Sequence, residues 1–217
     1  MSKYNRTYHF KFSPGATNDD RIAESVGGLI GVPIILSEKL DGENNGMTNK
    51  GVYARSHAAF TVSQWSEEVR MIQSMIGRYI PEDVFLFGEG MAGIHSIEYT
   101  NLQSYFYLFG IREENRWFSW DEIEEYAYLL DIPTVPVLFK GIVNSENELK
   151  ELILYFANQK SSLGGEREGV VARIASEFYD HDFHKSILKY VRKGHIRTDS
   201  HWTKNWKKAK LNKPWMI

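Results

Sequence analysis

Apolar and polar positions divide the chain into short blocks with two periods. Val32 to Leu40 is an apolar run that ends in Ser37-Glu38-Lys39. It reads as a buried strand delivering one lysine to a cleft. Asp41-Gly42 then predicts a turn, which Asn44-Asn45-Gly46 continues. Gly51 to Ser56 alternates as a second strand, expected to pair with the first across that turn. Trp65, Val69, Ile72, Ile76 and Tyr79 fall at helical spacing, and Pro81 stops that helix. Val84 to Glu89 predicts a buried strand ending in a carboxylate, and Tyr105 to Ile111 a strand dense in aromatic rings. Ser119-x-x-Glu122 is a capping box that opens a helix to about Leu130. Ser145-x-x-Glu148 opens another, with Leu149, Ile153 and Phe156 on its buried face. Glu168 to Ile174 and Ser186 to Val191 complete the strands. Residues 1–20 look irregular, with a short helix capped near Thr17 to Asp19 and ended by Gly27-Gly28.

These elements predict one α+β domain of mainly antiparallel sheets flanked by helices. Its expected extent is residues 1–194. Residues 195–217 form a basic extension, expected to pack on the same domain and to be helical in part. The proportions of apolar and charged residues, 42% and 25%, are those of a globular protein. No run reaches the ~18 apolar residues of a membrane span, and no signal-peptide core follows the start. Cysteine is absent, which removes disulfides and thiolate zinc sites and fits a cytoplasmic protein. His181-x-x-His184 and His195 with His201 lack a clear third ligand, so no zinc site is expected. The net charge of −2 conceals an asymmetry: from Lys185 onward there are ten Lys or Arg and one acid, Asp199. A basic end on an acidic body points to a polyanion partner.

Several strand ends carry charge: Lys39, Arg55, Glu89, Glu168 and Lys189. Their order, with an aromatic strand among them, resembles the covalent nucleotidyltransferases, which comprise ATP-dependent RNA and DNA ligases and mRNA capping enzymes. Glu38-Lys39-Leu40-Asp41-Gly42 is similar to the nucleophile motif Lys-x-Asp-Gly, and Arg55-Ser56 to the arginine motif after it. Phe87-Gly88-Glu89 is similar to the ribose-binding motif and Phe106 to Ile111 to the base-stacking strand. Glu168-Gly169-Val170-Val171 and Leu188-Lys189-Tyr190 are similar to the last two motifs. The resemblance spans Phe12 to Lys193. Asn44 and the short length resemble the RNA-ligase group typified by the second phage T4 RNA ligase, and other segments resemble compact bacterial and phage RNA ligases. Only 28 residues follow Lys189, so no OB-fold domain is expected. Two positions depart from the family pattern. Val191 stands where a second lysine is usual, leaving Arg192 or Lys193 to supply that cation. Gly110 stands where relatives often have Asp.

The resemblance implies a nucleotidyltransferase (ligase adenylation) fold and an ATP-dependent RNA ligase using Mg²⁺ or Mn²⁺ in a bacterial or phage-infected cell. It implies that Lys39 attacks the α-phosphate of ATP to form lysyl-AMP, that AMP passes to an RNA 5′-phosphate, and that a 3′-hydroxyl displaces it. Lys39, Glu168 and Lys189 are then the catalytic residues. Glu38, Lys39, Asn44, Arg55, Glu89, Phe109, Glu168 and Lys189 bind ATP, with Phe106 or Tyr107 as the alternative stacking ring. Glu168 holds the metal. A free lysine is neutral in only one molecule in ~2,500 at pH 7, so burial, Lys189 and the metal are expected to lower the pKa of Lys39. Arg192, Lys193, Lys204, Lys207 and Lys208 are the expected RNA contacts. The alternatives are a minimal DNA ligase or end-adenylating enzyme, a non-catalytic ATP- or RNA-binding relative, and a structural partner of end-repair proteins.

Overall fold

Pleat alternation explains why two sheets form and why a cleft lies between them. The computed structural model describes residues 3–55, 59–194 and 206–212. One sheet runs in the order β1 (Tyr8–His9), β11 (Ile187–Val191), β9 (Gly169–Ile174), β2 (Pro33–Lys39) and β8 (Val137–Ile142). The other runs β10 (Phe178–Tyr179), β7 (Arg116–Trp117), β6 (Phe106–Glu113), β5 (Val84–Gly90), β3 (Glu43–Thr48) and β4 (Gly51–Ala54). Every strand pairing is antiparallel except β1 with β11.

Each sheet has a helix-covered face. Ile34 and Leu36 of β2, Val170 and Ala172 of β9 and Leu188 of β11 pack with Leu149, Ile153 and Ala157 of α3 (Glu146–Ala157). Met47, Val52, Leu86 and Leu108 pack with α1 (Glu67–Ile76) and α2 (Trp120–Leu129). Val69, Ile72 and Ile76 of α1 are buried, and each contributes roughly 1.5–3 kcal/mol of apolar burial. The intervening residues of the strands face the other sheet. There a third cluster of Phe87, Trp117, Phe178, Phe183 and Ile187 closes one end of the space. Phe183 lies on the short α4 (Phe183–Ser186).

Ser119 forms the full capping box with Glu122, as predicted. Ser145 caps α3, but Glu148 bonds the Asn144 backbone N–H instead of that of Ser145. Other expectations need correction. Glu43 to Thr48 is a strand and not a turn, and the hairpin is β3 with β4. β2 pairs with β8 and β9 in the other sheet, so it does not pair with the Gly51 strand. Polar Glu43 and Asn44 border the cleft, which disguised them as turn residues. The helix expected after Thr17 is absent, and only a 3-10 turn at Gly27–Leu29 forms. Thr17 donates its N–H and Oγ1 to Asp20, which spends the cap on a local turn. Tyr79 is exposed beyond the end of α1 and is not part of its core face. Of the extension, residues 206–212 are described and form no helix, with a bridge joining Lys208 to Gly93; the rest of the segment expected to be partly helical lies outside the described residues. No helix among the described residues is long and apolar enough to cross a membrane.

Candidate active site

The cleft between the sheets has a volume of about 630 Å³. β2 delivers Lys39 to it because Ile35, Ser37 and Lys39 share the strand face opposite Ile34 and Leu36. The Lys39 amine lies 2.7 and 2.6 Å from the two carboxylate oxygens of Glu168. Glu168 immediately precedes β9, whose Gly169 pairs with Lys39. Gly169 is required there: a Cβ would collide with the Tyr190 carbonyl oxygen of β11. Glu168 is buried, whereas Lys39 keeps a quarter of its side-chain surface.

Burial pushes the Lys39 amine down, but Glu168, then Glu89 and Asp41, more than offset it, and its pKa stands above the ordinary value. This corrects the expected lowering: the pattern of residue types showed the burial but not a carboxylate bonded through both oxygens. Lys189 behaves in the opposite way. Burial and the charge of Lys39 lower it, Arg55 adds to this, and Asp20 opposes.

The loop after Lys39 is clamped. Asp41 Oδ2 accepts the N–H groups of Ser96 and Ile97, and the Asp41 N–H donates to Tyr99 Oη. Gly42 donates to Glu89 Oε1 at 3.2 Å. Glu89 stands on β5 opposite Asn44 of β3. Burial, with Glu168 and Asp41 nearby, pushes its carboxyl up to about 8, although Lys39 and the Gly42 N–H oppose. Arg55 follows β4 and is exposed at the cleft, its N–H bonded to the Asn44 carbonyl. Phe109 also lines the cleft, whereas Phe106 and Tyr107 are buried. Strand direction thus leaves Phe109 as the candidate stacking ring.

Lys39, Asn44, Arg55, Glu89, Phe109 and Lys189 therefore share one cleft, with Glu168 joined to it through Lys39. Glu38 borders it, but Glu38 Oε2 accepts the Ser162 N–H at 3.0 Å and sits 3.4 Å from Arg167 Nη2. That pair anchors the end of β2. The expected RNA contacts do not converge in the same way. Arg192 pairs with Glu166, Lys193 and Lys207 are exposed, and Lys208 pairs with Glu68. Lys204 lies outside the described residues.

Sequence reasoning missed Tyr4, Glu43, Trp65 and Arg173, all of which line the cleft. Arg173 had a readable signal, since it follows Gly169 and Val171 at strand period on one face of β9. Tyr4 had none. It is placed by packing against Phe87, Phe109, Trp117 and Phe183, with ring centroids 5.2–5.4 Å away.

Among the described residues no group of three or more Asp, Glu or His side chains is arranged to hold a metal ion. Among the described residues Asn44 Oδ1 is nevertheless buried without a hydrogen-bond partner. Asn44 stands opposite Glu89 in the β3–β5 pairing, and the Glu168 charge acts on Glu89, so this side of the cleft offers a set of carboxylate and amide oxygens. Such a set suits a magnesium-type ion that keeps several waters and takes only one or two carboxylates.

Two antiparallel-rich sheets enclosing a lysine-bearing cleft define a nucleotidyltransferase-type fold. The RNA ligase family profile matches residues 32–191, and the chain belongs to that family. Solved structures of the Naegleria gruberi RNA ligase share the fold. A mutant of that ligase with ATP and Mn superposes with a TM-score of 0.62 at 18% identity. The ligase with PPi gives 0.60 at 20%, as does a mutant with AMP and Mn. Each match covers 90% of this chain and 57% of the other, so the chain spans little more than half of these relatives. No curated protein matches in sequence.

Proposed function

We propose that the chain is an ATP-dependent RNA ligase whose Lys39 carries the adenylate. The observation that carries this reading is the meeting of Lys39, Glu89, Phe109 and Lys189 in one cleft, with Glu168 on the lysine amine. The neutral amine attacks the α-phosphorus of ATP. A P–N bond forms, the bond to the β-phosphate oxygen breaks, and pyrophosphate leaves. AMP then moves to an RNA 5′-phosphate, and a 3′-hydroxyl displaces it to join the ends.

The side chains divide the work by their chemistry. Phe109 stacks on adenine, and Val171, which also lines the cleft, adds apolar surface for the base. Glu89 is held close to neutral pH in its titration and can both donate to and accept from ribose hydroxyls. Arg55 grips phosphate in the exposed mouth. Lys189 offsets charge that builds on the α-phosphate in the transition state. Glu38 acts through placement, by fixing the strand that carries Lys39. Glu168 holds Lys39 as an ammonium, so the amine becomes a nucleophile only after that pair opens. A divalent ion held through Glu168 and Asn44 would supply positive charge at the phosphates and take the carboxylate oxygens that now hold Lys39. RNA contacts fall to the exposed cations Lys193 and Lys207 and to Arg192, with Lys208 available once Glu68 releases it.

The test is incubation with Mg²⁺ and α-labelled ATP. Label should appear on the protein, vanish in Lys39→Ala and pass to 5′-phosphorylated RNA. Label from GTP alone would indicate capping chemistry, and no label from either nucleotide would favour a binding relative. Joining that proceeds on nicked DNA but not on RNA would favour the minimal DNA ligase.

A further inference from the structure

A second charged cluster adjoins the cleft through Lys189, and its other members, His9 and Asp20, belong to none of the strand-end motifs. β1 runs parallel to β11 with His9 in register with Lys189, and the Phe10 N–H donates to the Lys189 carbonyl. Asp20 Oδ1 lies 3.3 Å from His9 Nε2 and 3.5 Å from Lys189 Nζ. Its other oxygen accepts the N–H and Oγ1 of Thr17 at 3.1 and 3.0 Å. His9 is buried, and its Nδ1 lies 2.9 Å from Ser13 Oγ. Ser13 Oγ also accepts the Val191 N–H at 2.9 Å. A carboxylate facing Nε2 requires the proton on that nitrogen, because a lone pair there would be repelled. Nδ1 is then the acceptor, and the Ser13 hydroxyl donates to it.

We infer that Asp20, oriented by Thr17 and His9, is a positioning residue for Lys189 that keeps this buried amine charged and aimed within the cleft. The inference rests on the ligase reading, because it assigns a task to Lys189. The physical reason is the cost of burial. Lys189 retains only 18% of its side-chain surface. Lys39 and Arg55 both press it toward the neutral form, and Asp20 is the carboxylate that opposes them. A neutral amine cannot offset charge growing on a phosphate. Thr17 fixes Asp20 through Oδ2, which leaves Oδ1 facing His9 Nε2 and the Lys189 amine, so Asp20 restrains the amine's direction as well as its charge.

Asp20→Asn keeps the size and the acceptor for Thr17 but removes the charge. Single-turnover labelling from ATP should slow by about 10- to 100-fold, with the ATP concentration for half-maximal rate changed less than about 3-fold. Asp20→Glu should recover part of the rate. Asp20→Asn should cost nothing further in a Lys189→Met background, since both changes remove one interaction. The second measurement is acylation of Lys189 at pH 8, read by peptide mass. It should be faster in Asp20→Asn than in the parent while the thermal midpoint stays within a few degrees. Additive rate losses, or unchanged Lys189 acylation, would overturn the inference. If the unmodified protein takes no label, the ligase reading fails, and acylation still decides whether Asp20 holds Lys189.

Discussion

Replacing Glu168 by Gln should move two reactivities of Lys39 in opposite directions. Both carboxylate oxygens of Glu168 sit within 2.7 Å of the amine. Gln keeps the shape and removes the charge. An opposite charge at this range shifts a pKa by about 1–3 units, or roughly 1.4–4 kcal/mol between the protonation states. Glu89 and Asp41 remain as weaker partners and keep the change toward the lower part of that range. At pH 8, well below the amine's pKa, the neutral fraction rises by the same factor, about 10-fold for one unit. Acylation of Lys39 by a small amine reagent in the presence of chelator, followed by peptide mass mapping, should therefore accelerate about 10-fold or more. Labelling from ATP with Mg²⁺ should fall by at least about 100-fold, because the carboxylate proposed to draw the metal is gone. An unchanged acylation rate would mean that Glu168 does not hold the resting ammonium. Faster acylation together with undiminished ATP labelling would remove Glu168 from the metal's binding set.

Three further outcomes follow from the packing and charge. Phe109→Ala should weaken ATP binding about 10-fold in equilibrium titration with little loss of stability, whereas Phe106→Ala, at a fully buried ring, should cost about 3–5 kcal/mol in urea unfolding. Gly42→Ala should destabilise the protein by about 1–3 kcal/mol in the same assay, since its Cβ would lie 2.5 Å from the Gly90 carbonyl oxygen and 2.7 Å from Met91 Sδ. Burial and the Lys189 charge lower His9 from 6.5 to about 4, against the opposing pull of Asp20. The unfolded chain therefore binds the extra proton first as acid is added. Stability from this group is complete above pH 6.5 and is lost as pH falls toward 4, by up to about 3 kcal/mol. His9→Gln should flatten that part of a pH series of unfolding curves.

Local pattern decided the two helix-capping serines, the amphipathic α1 and the four long strands that carry Lys39, Glu89, Phe109 and Lys189. Those features depend on residues a few positions apart, so adjacent side chains suffice to specify them. The residue types also announced the chemistry, since a lysine ending an apolar strand and carboxylates ending two others are costly to place without a use. What lay beyond the sequence was which faces meet. β3 reads as a turn because its polar residues look into a cleft that exists only once both sheets are assembled. Tyr4, His9 and Asp20 carry no local signal, because β1 acquires its role from β11, whose paired residues lie 180 positions later in the chain. The protonation of Lys39 also belongs to the tertiary structure. Whether burial or a carboxylate wins depends on a separation of 2.6–2.7 Å between residues 129 positions apart, and electrostatic energy follows distance in space, not order along the chain.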